Sequence, residues 1–183
     1  MKDMVLNLLS RAEVTRIRFS FGAIQINASF FQSVRNAIAA DRIQVVHNPS
    51  IGAGLAIYRY THNTLFLGFR TIAGNTDREA LIVHECTHAA FDISGRRMPV
   101  QESEAAAYIA QCLYFYYKHE QAFQAGRNPT FRRAILRAAW SIAMQARTQP
   151  NLSSDDLQPL LTAIRNDPFY RRRYNQQVPY DGV

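Results

Sequence analysis

Residues 83–95 read VHECTHAAFDISG, and His84-Glu85-Cys86-Thr87-His88 within them forms the pattern H-E-x-x-H. Such a stretch restricts a chain twice. Locally it must be a helix if the histidines are to act together: at about 100° per residue they point within about 40° of each other, one turn apart. Globally, another element must pack close to that helix, because a catalytic zinc takes three protein ligands and keeps one position open. Two imidazoles so placed bind one ion at roughly 2.0–2.1 Å each. Glu85 lies about 60° round from His88, where it reaches a metal-held water without being a ligand itself.

The flanking residues support a helix. Thr76-Asp77-Arg78-Glu79 reads as a capping box, with Thr76 as the cap and Glu79 three residues on. Ser94-Gly95 supplies the stop. Ile82, Cys86 and Ala89 gather on the opposite, apolar side, so Cys86 is rejected as a ligand. Cys86 and Cys112 are too few for a disulfide framework and read as buried thiols.

The third ligand has to come from elsewhere. Phe91 and Ser94 stand where the extended metzincin pattern needs Gly and His, which excludes that class. His47, His62 and His119 are remote in the chain and read as ordinary histidines. The best candidates are Glu102 and Glu104 in VQESEAAAYIAQ. They point about 200° apart on a helix, so only one can face the metal. Glu102 sits in the first turn, where an acid complements the helix dipole. Glu104 lies deeper, beside Ala105, Ala106 and Ala107, whose small side chains let two helices approach closely. Glu104 is preferred and Glu102 is the alternative.

The rest of the chain reads as α+β, with a small N-terminal sheet and hairpin region packed on a mainly helical C-terminal half. MVLNLLSRA suggests a short helix, AIQINAS a strand, and Ser29 a cap for a helix through SFFQSVRNAIAAD. IQVVH reads as a strand, and LAIYRY and NTLFLGF read as a hairpin around Thr61-His62-Asn63. After the H-E-x-x-H helix, further helices are expected over about Gln101–Gln124, Thr130–Arg147, and from the Ser153-Ser154-Asp155-Asp156 cluster to before Pro168. No linker divides the chain, so residues 1–183 are expected to form one domain, with its core at 55–125, a helical extension at 126–167 and a basic tail at 168–183. The tail, with Arg171-Arg172-Arg173 among Phe169, Tyr170 and Tyr174, is expected to be a loosely ordered terminus. Contact with a partner, or folding back over the cleft, is the alternative.

The net charge of +7 comes almost wholly from arginine, since Lys2 and Lys118 are the only lysines. The charges are dispersed, so a solvated basic surface is expected ahead of nucleic-acid binding. No run is apolar and long enough to span a membrane. MKDMVLNLLSRAEV makes a poor signal peptide, which points to a cytoplasmic protein, one exported without a classical signal, or a piece of something larger.

HECTHAAFD followed by EAAAY resembles the gluzincin metallopeptidases, the thermolysin-like group. The resemblance implies that His84, His88 and Glu104 bind zinc and that Glu85 is the catalytic base. It also implies a compact zincin-like domain whose edge strand, in NTLFLGF, holds extended peptide substrate. It covers about residues 55–125. Thr87 and Asp92 match the group's active helix, and Asp92 becomes the candidate to orient the site. Where the group has an aspartate four residues after the ligand glutamate, this chain has Tyr108. Tyr108, Tyr58, Tyr60 and His119 are candidates for stabilising the oxyanion. The expected function is therefore zinc-dependent peptide hydrolysis, as a narrow-specificity processing enzyme or a toxin or effector domain. The alternative is a metal-binding regulatory domain whose basic surface holds nucleic acid.

Overall fold

The computed structural model describes residues 1–183. The N-terminal part begins with helices α1 (Lys2–Leu9) and α2 (Ala12–Thr15), then strands β1 (Phe19–Phe21) and β2 (Ile24–Ile26), helix α3 (Ala28–Ala39) and strand β3 (Gln44–His47). Strands β4 (Ala56–Arg59) and β5 (Thr64–Leu67) form the expected hairpin. Asn63 makes its turn possible by adopting a left-handed backbone, φ 45°, which Asn tolerates better than most residues. The helical half follows: α4 (Thr76–Ile93), α5 (Val100–Lys118), α6 (Glu120–Gln124), α7 (Ala134–Thr148) and α8 (Ser154–Asn166). Three two-residue strands are interspersed, β6 (Met98–Pro99), β7 (Asn151–Leu152) and β8 (Gln177–Val178). The architecture is α+β, with most strands N-terminal and the long helices C-terminal.

One sheet has the order β3-β5-β4, with β3 parallel and β4 antiparallel to β5. The strand in NTLFLGF is thus the middle strand, and the expectation that it forms the edge is corrected. Its face neighbours explain the difference: Thr64, Leu65 and Leu67 are all buried, a run suited to a central strand. The edge beside α4 is β4. A second sheet, β2-β1-β7, draws β7 from the helical half back onto the N-terminal strands.

Two caps differ from expectation. Asn75, not Thr76, caps α4 by accepting the Arg78 N–H at 3.0 Å. Glu79 is not a capping-box residue. It is 5 % exposed, accepting from Arg11 Nη1 at 2.6 Å and from the Tyr114 hydroxyl at 2.8 Å. Asn27, not Ser29, caps α3. The Ser153 cap on α8 stands as a full capping box with Asp156.

A single apolar core joins both halves, running from Val5 and Phe31 through Leu65, Val83 and Ile109 to Ile164 and Tyr180. Its centre is the α4–α5 pair. Ala105, Ala106, Ala107 and Ala110 are fully buried on α5, and such small side chains allow neighbouring helices to come close. Residues 168–183 also belong to this core. Tyr170, Tyr174 and Tyr180 are buried, and β8 pairs antiparallel with β6. The loosely ordered terminus is corrected: three tyrosines spaced through the basic segment supply enough apolar area to hold it down.

Candidate metal centre

Helix α4 presents His84 and His88 on one face, one turn apart, towards α5, and α5 returns Glu104. The His84 and His88 Nε2 atoms are 3.3 Å apart. Glu104 Oε2 lies 3.5 Å from His84 Nε2, and Oε1 lies 3.6 Å from His88 Nε2. Glu102 is not in this cluster; its neighbour two residues on is the carboxylate that the helix turn delivers. Ligand atoms roughly 2.0–2.1 Å from one tetrahedral ion stand about 3.3–3.4 Å apart. The three side chains therefore already hold the spacing that a tetrahedral metal requires. Glu104 Oε2 is buried without a hydrogen-bond partner. A carboxylate oxygen buried without a hydrogen-bond partner beside two imidazole nitrogens suits a cation, so the donor set could hold a metal ion.

The ring nitrogens that face away from the cluster are engaged. His84 Nδ1 lies 3.1 Å from Gln111 Oε1, an acceptor to which an Nδ1 proton can be donated while Nε2 faces the cluster. His88 Nδ1 lies 2.9 Å from Ser103 Oγ and 3.2 Å from the Tyr180 hydroxyl. Gln111, Ser103 and Tyr180 were not anticipated. Gln111 follows Glu104 by seven residues on α5, the one signal that could have found it; Tyr180 left none.

The charges of these side chains act on one another. Burial pushes Glu104 up, but His88 and His84 outweigh it and hold the carboxyl down at about 2. Burial pushes His88 down to about 4, with Glu104 opposing and His84 adding to the effect. Burial also lowers His84, yet Glu104 and Glu85 reverse this and leave it above the ordinary histidine value. Glu85 is pushed up to about 7, chiefly by burial.

Glu85 is fixed from the sheet. Its Oε2 accepts the Tyr58 backbone N–H at 2.8 Å, and the Tyr58 hydroxyl donates to Asp92 Oδ2 at 2.6 Å. Asp92 is fully buried and also accepts the Asp181 N–H at 3.2 Å. Asp92 thus acts on β4 and the C-terminal segment, with no bond to either histidine. Tyr108 packs its ring edge-on to His84, with centroids 4.5 Å apart, and its hydroxyl meets that of Tyr170 at 3.0 Å. His119 is bound to Thr76, and Tyr60 packs against Tyr180. Cys86 is buried on the far side, as its helical position implies.

One cavity borders the cluster, and a second reaches its surroundings through Gln111. The first, about 230 Å³, is lined by Tyr58, Tyr60, His88, Glu104, Arg173 and Tyr180. The other, about 710 Å³, is lined by Leu55, Leu81, Gln111, Phe115, Phe123 and Phe131, among others. The chain through β4 runs from the larger cavity at Leu55 to the smaller at Tyr58 and Tyr60. Gly68 N–H, just past β5, donates to Leu55 C=O, whereas Tyr58 N–H turns outward to Glu85, so Ala56 and Tyr58 direct backbone groups away from the sheet.

No helix is long and apolar enough to cross a membrane. Comparison with protein-family models, curated proteins and solved structures gave no match.

Proposed function

We propose that this chain is a zinc-dependent peptidase of the gluzincin type. The observation that carries this reading is the convergence of His84, His88 and Glu104 at tetrahedral spacing, with a fourth residue, Glu85, held beside them by the backbone of an edge strand. Zinc bound by the three would supply an acidified water and polarise a carbonyl. Glu85, its pKa near 7 and its orientation set by Tyr58, takes the proton from the attacking water and passes it to the leaving amine. The substrate lies extended along the free edge of β4, pairing with the outward groups of Ala56 and Tyr58. Its side chains enter the two flanking cavities, and the larger, lined by Leu55, Leu81 and three phenylalanines, accepts an apolar one. Tyr108 and Tyr170, whose hydroxyls meet near the ligands, are the candidates to donate to the oxyanion.

Glu85→Gln tests the reading. The variant keeps its zinc and loses cleavage of an unfolded protein substrate by at least a hundredfold, while His84→Ala loses both. Undiminished cleavage by the Glu85→Gln protein would overturn the mechanism.

A further inference from the structure

The segment after α8 is tied to the molecule at several points. Val100 N–H, at the start of the helix that carries Glu104, donates to Gln176 C=O at 2.8 Å. Arg42 Nη1 donates to Val183 C=O at 3.1 Å. Between these anchors Tyr180 stacks on Phe91, with centroids 6.2 Å apart. Its hydroxyl lies 2.9 Å from Ser103 Oγ and 3.2 Å from His88 Nδ1. Ser103 is itself 1 % exposed and 2.9 Å from the same nitrogen. A serine and a tyrosine buried together need partners, and the free ring nitrogen of a candidate metal ligand is the partner both have found. A histidine ligating through Nε2 carries its proton on Nδ1 and is oriented by whatever accepts that proton.

We propose that the C-terminal segment completes the metal centre: Tyr180, delivered by residues 176–183, acts with Ser103 as a positioning pair that fixes the ring of His88. The inference rests on the metal-binding reading of His84, His88 and Glu104. It also accounts for the departure at Tyr108. The aspartate that orients a zinc histidine in thermolysin-like enzymes is absent, and two other devices do its work: the Gln111 amide on His84 and the hydroxyl pair on His88. The Asp181 N–H bond to Asp92 connects the same segment through Asp92 to Tyr58, and through Tyr58 to Glu85.

The test uses the full chain and three readouts: Zn²⁺ affinity by chelator competition, the visible spectrum of the Co²⁺-substituted protein, and the melting temperature of the metal-free protein. Tyr180→Phe keeps the ring stack and removes only the hydroxyl. It should weaken zinc binding several-fold and shift the cobalt bands, with little change in metal-free melting. Ser103→Ala combined with Tyr180→Phe should weaken binding roughly 10- to 100-fold, the range for loss of a ligand's hydrogen-bonded support. Affinity and cobalt spectrum both unchanged in Tyr180→Phe and in the double variant would overturn the proposal and leave the peptidase reading standing. Should the double variant not fold, unchanged values in Tyr180→Phe alone overturn it. A wild-type chain that binds no zinc overturns both.

Discussion

Glu85 is a buried carboxylate whose proton balance affects stability as well as chemistry. Its ordinary value of 4.5 rises to about 7 in the fold, mainly through burial. Between these values the unfolded chain releases the proton while the folded chain retains it. In metal-free protein this group therefore stabilises fully below pH 4.5 and loses that contribution as pH climbs to 7. At about 1.4 kcal/mol per pH unit the loss is on the order of 3 kcal/mol. Glu85→Gln removes the titrating group, so its stability relative to wild type should improve by that order between pH 4 and pH 8. Denaturant unfolding with chelator present measures it, and a pH-independent difference would refute the assignment. At the same scale, Glu104→Ala should abolish stoichiometric zinc binding in metal analysis, whereas Glu102→Ala should leave it intact, because only Glu104 joins the cluster.

The elements around the site are held by a few contacts that tolerate little change. Gly68 follows β5 directly, and a Cβ there would overlap the Gly52 carbonyl oxygen, a backbone atom that cannot step aside. Gly68→Ala should cost about 2 kcal/mol or more in unfolding free energy and shift the start of β4, since Gly68 N–H is bonded to Leu55 C=O. Glu79 ties α4 to Arg11 and to Tyr114 on α5. Removing it as Glu79→Ala takes the carboxylate acceptor from a buried tyrosine hydroxyl and a part-buried guanidinium, which keep only their weak 3.4 Å contact with each other. The expected cost is about 2 kcal/mol, below the range for a fully buried pair because Arg11 keeps access to water. Thermal or denaturant unfolding reads both variants. Glu79 also shows the limit of local pattern: an acid three residues after a threonine fits a capping box, and only the position of Arg11, 68 residues earlier in the chain, reveals what it binds.

For the molecule as a whole, the candidate metal centre lies at the junction of its parts. The ligands come from α4 and α5, the clamp on Glu85 from the β4 edge, and the support of His88 from α5 and the last residues of the chain. An ion held there should therefore tighten more than one element. With free zinc at about 100 times its Kd, binding adds about 2.7 kcal/mol, so chelation should lower the melting temperature by roughly 5–10 °C for a chain of this size. Differential scanning fluorimetry with and without chelator measures it, and an unchanged transition would count against a bound metal.

Much of this was legible one element at a time. Helical periodicity alone put His84 and His88 on one face and Cys86 on the other, and set Glu104 apart from Glu102. Alternation and turn residues placed the β4–β5 hairpin, and the Ser153 cap needed only its own tetrapeptide. These are short-range consequences of backbone geometry, which neighbouring residues specify. What the tertiary structure decided was every pairing across sequence distance: which hairpin strand is the edge, what Glu79 and Asp92 bind, and that Tyr180 reaches His88. Hydrogen bonds and ring contacts between residues 92 apart depend on how buried surfaces fit together, and no local period encodes that fit.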